Sequence, residues 1–287
     1  IADGAARLDA PVHVVHVAAP DHVDGDTSSI SHPRTIIDVG AGGRLAVVET
    51  YCGLAGATVT NAATVIHVGD GAALDHCRVQ VEAAAATHVG HTRVEQGSDS
   101  RLRAASITVG GDLARNAIDV HLGAPDAVAE LSGLDLAARS QRHDTVVTVD
   151  HAASHCSSDQ RFAGVVDDHG RGSFSGEIIV RPGTVDTDAN QSNRNLVLTP
   201  DAEADTRPWL QILADDVRCT HGATVGRLDD EALFYLRSRG VPLARARTML
   251  IDAFIGGITD TITHDVVRAH VAALLLPGGA PAAGERP

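Results

Sequence analysis

The stretch RHDTVVTVDH, residues 142–151, alternates apolar with polar or small side chains almost residue by residue. That is the period of a strand with one face buried. The same alternation returns in VHVVHVA (12–18), ATVTNAATVIHV (57–68), residues 73–83, RLRAASITV (101–109) and residues 113–122. Turn-forming clusters separate the runs: Gly69-Asp70-Gly71, Gly97-Ser98-Asp99-Ser100, Gly110-Gly111-Asp112 and Gly123-Ala124-Pro125-Asp126. The spacing predicts many short strands of similar length. Their inward positions are Val, Ile, Leu and above all Ala, and aromatics make up only 2% of the chain. Such small side chains suit a narrow, stacked interior, so a β-solenoid fits, although a sandwich or barrel shares the strand spacing. No strict repeat motif runs through the strands, and the circuits of such a solenoid are therefore irregular.

The pattern changes near residue 228. From Asp229 onward Leu233, Leu236, Leu243, Ala246, Leu250, Ala253 and Phe254 recur at helical spacing, with Asp229, Asp230 and Glu231 in the first turn. Gly240 and Pro242 divide a first helix from a second, and a third is predicted from about Thr259 to Leu276. Four of the seven aromatics, Trp209, Phe234, Tyr235 and Phe254, lie between 209 and 254. They support a separate small helical core. The terminal PGGAPAAGERP, residues 277–287, reads as a disordered tail.

Composition excludes several function classes. With 23 basic against 37 acidic residues the net charge is −14, which argues against nucleic acid or an anionic membrane as a partner. All 23 basic residues are arginine. Without lysine the chain has no phosphate-cradling G-x-x-x-x-G-K-[ST] loop, no Schiff-base lysine and no lysine general base. Any nucleotide chemistry must sit on another chain. The four cysteines, Cys52, Cys77, Cys156 and Cys219, are widely spaced with no C-x-x-C, and they read as reduced thiols in a cytoplasm. No apolar run reaches the ~18 residues of a membrane span. Ile1 in place of Met implies a truncated or processed start.

Among chemistry-bearing residues, Cys219 and His221 are two apart, so on a strand they share a face. Thiolate and imidazole together suit iron, although a buried cysteine beside a packed histidine is the blander alternative. His151, His155 and Cys156 would share a face only on a helix; a strand end is expected there, with these groups at the surface. His76-Cys77, His88 and His91 read likewise as a histidine-rich surface. Gly40-Ala41-Gly42-Gly43 reads as a plain turn, since no βαβ unit follows. Asp215 and Asp216, adjacent on a strand, would face opposite ways and make no carboxylate pair.

Three runs in order carry a resemblance: QSNRNL (191–196), ADDVRCTHGATVG (214–226) and ALFYLRSRG (232–240). They resemble the SufB/SufD family of iron–sulfur cluster assembly scaffold proteins, on its SufD side. The SufB pattern usually has H-E-A-T where this chain has C-x-H-G-A-T. The resemblance is specific over about residues 160–275 and architectural before 150. It implies a right-handed parallel β-helix over residues 1–227, a small C-terminal helical domain over 228–276 that docks an ATPase, and the tail beyond. Members usually carry an N-terminal helical region that this sequence lacks. It further implies a non-catalytic scaffold that pairs with SufB as a heterodimer and binds the SufC ATPase, with self-association into a homodimer in isolation. A transient iron–sulfur cluster, or iron, would be shared with SufB, and no nucleotide would be bound by this chain. On this reading Cys219 and His221 are ligands at the SufB-facing end of the solenoid, mostly buried at rest. Leu233, Leu236 and Phe254 anchor the helical domain, and Arg237, Arg239, Arg245 and Arg247 face acidic groups on the ATPase. Parallel β-helices also host polysaccharide lyases and glycosidases, whose sugar-binding grooves usually expose aromatic platforms. Seven aromatics in the whole chain argue against that class.

Overall fold

In a computed structural model that describes residues 10–20, 29–54 and 56–275, consecutive strands alternate between two parallel sheets. One sheet runs β1 (Val12–Ala18), β4 (Arg44–Gly53), β6 (Ala73–Val81), β8 (Arg101–Thr108), β10 (Val128–Ala137), β12 (Ser157–Val166), β14 (Thr187–Val197) and β16 (Val217–Gly226). The other runs β15 (Glu203–Ile212), β13 (Arg171–Val180), β11 (Arg142–His151), β9 (Leu113–Leu122), β7 (Thr87–Gln96), β5 (Thr58–Val68) and β2 (Ser29–Ser31), with β3 (Arg34–Val39) also on β5. β1 and the even-numbered strands from β4 onward form the first sheet, the remaining strands the second, and the chain winds between them as a parallel β-solenoid. A circuit consumes 29 residues where Arg44 pairs with Ala73 and Arg142 with Arg171. The expected strands at 12–18, 57–68, 73–83, 101–109, 113–122 and 142–151 all form, within two residues of the expected ends.

The winding depends on a corner one or two residues ahead of six strands of the first sheet, β4 to β14. Gly42, Gly71, Asp99, Asp126, His155 and Asp186 occupy it in successive circuits, all with positive φ. Glycine reaches that region freely, and Asp, Asn and His are the side chains that enter it most readily. Between the sheets, alternate side chains interdigitate. Val47, Leu74, Leu102, Ala129 and Leu131 from one sheet meet Ile66, Val94, Ile118, Val120 and Val147 from the other. Alanine at 62, 114, 127 and 129 keeps this interior thin.

Three helices follow: α1 (Asp230–Ser238), α2 (Leu243–Thr259) and α3 (Asp265–Leu275). Asp229 caps α1, accepting from Glu231 N at 2.8 Å and Ala232 N at 3.2 Å. Gly240, at φ 86°, releases the chain after it. The third helix starts six residues later than expected, because Asp260–His264 form the turn that closes α2. Helices α2 and α3 pack on the outer face of the first sheet. Ile255, Ile258, Ile262, Val267 and Val271 bury Cys77, Val79, Ala105, Ile107, Leu134, Ala163 and Leu196. The expected tail at 277–287 lies outside the described residues.

Candidate functional site

Strand β16 is the last of its sheet and pairs only with β14 among the described residues. Its lumenal side carries Val217, Cys219 and His221, so the two residues singled out by spacing do share a face. Cys219 is half-buried and packs with Leu210, Ile212, Ala214 and Val217 around Ile178, Val180 and Ala189. Burial, together with the negative charge of Asp188, pushes its thiol pKa up. At neutral pH it is a protonated thiol that a cation must deprotonate to bind. His221 is exposed. The expectation that both are mostly buried therefore fails for His221: among the described residues no further strand of this sheet covers it. Asp215 and Asp216 lie in the turn before β16, both exposed, and form no pair.

The helical residues divide. Phe254 belongs to the cluster against the first sheet, and the Arg194 guanidinium carbon lies 5.3 Å from its ring centre. Arg194 thus joins solenoid to helix, while its neighbours Asn193 and Asn195 turn into the lumen. Leu233 and Leu236 are only half-buried, and no residue of α1 is buried. They do not anchor the domain on the sheet, because α1 packs chiefly on α2. Phe234 and Tyr235 are 74% and 58% exposed. Arg237, Arg239 and Arg245 are exposed and Arg247 is half-exposed; Arg239 stacks on Tyr235 at 5.3 Å. The outcome is an exposed arginine–aromatic face.

The lumen holds a cluster that sequence reading missed. Glu49 is fully buried and takes hydrogen bonds from His16 Nε2 (3.0 Å), Thr35 Oγ1 (2.6 Å), Tyr51 OH (2.8 Å), Thr64 Oγ1 (2.9 Å) and His76 Nε2 (3.4 Å). These donors, with His76 foremost, hold its carboxyl well below the usual range against the opposing effect of burial. One circuit on, His88 Nδ1 donates to Glu82 Oε2 at 2.7 Å, and its Nε2 accepts from Arg78 Nη2 at 2.5 Å. That arrangement fixes the neutral tautomer, and burial followed by the Arg78 charge lowers the His88 pKa. His76, His88 and His151 are therefore not surface groups, nor are Cys77 and Cys156; each is buried, while His91 and His155 are exposed. Only the parity of these positions within their strands could have shown it: His76, Arg78 and Gln80 share the lumenal side with Leu74. Among the described residues, no group of three His, Cys, Asp or Glu side chains is placed to hold a metal ion. All four cysteines are free, and no described helix is long and apolar enough to cross a membrane.

The family model for the SufBD core domain of SUF system FeS cluster assembly matches residues 22–254. The iron–sulfur cluster assembly protein SufD of Escherichia coli is 33% identical over 274 residues, covering 94% of this chain and 64% of that protein. A SufBD family protein of Synechocystis is 32% identical, covering 89% of this chain and 58% of its own length. The chain thus spans about three fifths of the relatives it matches. With the family model covering most of its length and a SufD one third identical across nearly all of it, this chain belongs to the SufBD family of iron–sulfur cluster assembly proteins, on the SufD side.

Proposed function

We propose that the chain is a non-catalytic scaffold subunit that pairs with a SufB-type subunit at β16, so that a nascent iron–sulfur cluster forms between them. The observation that carries this reading is the placement of Cys219 and His221 on one face of an edge strand. Sulfur-ligated iron is tetrahedral, so two ligands leave two to be supplied. A partner strand laid beside β16 would satisfy its free backbone groups, cover His221 and bring the missing ligands. The cluster or iron is cargo shared between the subunits. In binding it, the Cys219 thiol gives up its proton and His221 offers a neutral nitrogen.

The division into a solenoid over residues 1–227, a helical domain over 228–276 and a tail beyond follows the same reading. The helical domain receives a SufC-type ATPase, supported by the exposed Phe234, Tyr235 and arginines of α1 and α2. Net charge −14 leaves these arginines as a local cationic patch suited to an acidic partner surface. This chain itself binds no nucleotide, no nucleic acid and no membrane, and a cytoplasmic location suits its free thiols. In isolation, two copies would pair through the same edge.

The test is assembly in cells. His221→Ala abolishes cluster formation while the three-protein complex still co-purifies, and Cys219→Ser has a milder effect because the partner brings its own thiolate. Normal assembly with His221→Ala sinks the ligand assignment. ATPase binding that survives deletion of residues 230–287 sinks the docking site.

A further inference from the structure

Beneath the last coil the lumen carries an amide ladder. Gln160 on β12 and Gln191 on β14 are Cα partners, 0% and 3% exposed, and Gln191 Nε2 donates to Gln160 Oε1 at 3.0 Å. The other atom of the Gln191 carboxamide, Oε1, is buried with no hydrogen-bond partner. Native structures rarely leave such an acceptor unmet, since its desolvation costs about 1–3 kcal/mol. The amide has little room to turn away. On the facing strand stands Gly176, where a Cβ would lie 2.3 Å from Gln191 Nε2, so the carboxamide rests directly against backbone. The next member of the row, the Cα partner of Gln191 on β16, is His221.

We propose that Gln191 is a positioning residue for His221: its free Oε1 accepts the imidazole N–H, leaving the other ring nitrogen to face the Cys219 side. The inference deepens the reading of Cys219 and His221 as iron ligands. Strands stand about 4.8 Å apart, within reach of a ring that swings from solvent onto the amide below. Metal-binding histidines generally donate their second nitrogen to a fixed acceptor, which sets tautomer and ring plane. A carboxamide does this without adding charge, so it does not compete with the Cys219 thiolate for the cation.

The test reads the ring directly, on the full chain without iron or partner. With 15N-labelled histidine and His221 assigned by its loss in His221→Gln, the nitrogen shifts give the tautomer ratio. Gln191→Met keeps the side-chain shape and removes the acceptor; a hydrogen bond of ordinary net strength corresponds to about a fivefold change in that ratio. Gln191→Glu keeps the acceptor and retains the tautomer. If Gln191→Met leaves the ratio unchanged, or Gln191→Glu leaves the ratio at the value of Gln191→Met, the acceptor serves a buried water and the proposal falls. Should a variant unfold, Gly176→Ala, which displaces the same amide, must alter the ratio instead. Normal cluster assembly with His221→Ala beside a Gln191-dependent ratio would sink the ligand reading and leave this contact standing.

Discussion

Acidification from pH 7.5 to 5.5 should cost this protein about 2 kcal/mol of folding stability through three lumenal groups. His143 and His151 are 1% and 0% exposed, and both ring nitrogens of His143 and Nδ1 of His151 lack hydrogen-bond partners. Burial lowers both pKa values from 6.5 to about 4. Between those values the unfolded chain binds a proton that the folded chain refuses, so stability is full above about 6.5 and falls as pH drops. For pKa values of about 6.5 and 4, linkage gives a loss of about 1.3 kcal/mol per histidine at pH 5.5 relative to 7.5.

Asp135 works against this loss. Burial raises its pKa from 3.8 to about 6, so the folded chain takes up a proton first and recovers about 0.8 kcal/mol over the same interval. His88, also lowered, adds to the histidine loss. Glu49 and Glu82, both lowered, keep their contribution until pH falls below the usual carboxylate range, outside this window. Urea unfolding at pH 7.5, 6.5 and 5.5 under constant ionic strength measures the difference. His143→Leu should remove about 1.3 kcal/mol of it whatever the variant's absolute stability. A wild-type stability flat across the window, or a His143→Leu slope equal to wild type, refutes the reasoning.

Other perturbations test the packing. Gly90→Ala places a Cβ 2.9 Å from His88 Nε2 and 3.0 Å from Arg78 Nη2, a pair already in contact, and should cost about 1–3 kcal/mol in denaturant unfolding; a neutral effect would mean the pair can move apart. Arg78→Met strands Glu82 and His88 without their cation and should cost about 3–5 kcal/mol, with clear non-additivity when combined with Glu82→Gln. Of the four thiols, half-buried Cys52 and Cys219 should react with maleimide in the folded state, slowed by their raised pKa values, whereas buried Cys77, its pKa pushed up to about 12, and Cys156 should react only on unfolding. Four equally fast thiols would contradict the packing of α2 and α3 over Cys77.

Much of the fold was legible because alternation is a local signal that a solenoid repeats without modification. The strands at 101–108 and 142–151 could be placed from their own residues. The circuit length could not, because the corner that sets it accepts Gly42, Gly71, Asp99, Asp126, His155 and Asp186 alike. The required property is a positive φ, which no single residue type marks. Cys219 and His221 were legible as a pair on one face, since that follows from strand parity alone. Their exposure was not, because it depends on β16 being the last strand. The lumenal Glu49, Arg78 and Glu82 escaped notice, and His88 reads from sequence as a surface group, because charged residues inside a strand normally point to solvent. Here they point inward and satisfy one another.

The placement of the helices bears on how work done at one end of the molecule reaches the other. The cluster formed by α2 and α3 reaches Val48 on β4, Cys77 on β6, Ala105 on β8, Leu134 on β10, Ala163 on β12 and Leu196 on β14, and it includes no residue of β16. A force on α2 is therefore shared across six strands, each held on both sides by neighbours. Among the described residues β16 has a single hydrogen-bonded neighbour, β14, tied to it by the ladder and the Thr220–Asn190 hydrogen bond at 2.5 Å, besides the packing of Val217 and Cys219 on β15. In a row of springs the displacement appears where support is least, which is this edge. α1, with no buried residue, can be gripped without dismantling the core, and Arg194 on Phe254 links α2 to the strand next to β16. An ATPase that holds α1 more tightly in one nucleotide state than in another would then bias the position of the strand bearing Cys219 and His221 while leaving the lumenal ion network intact.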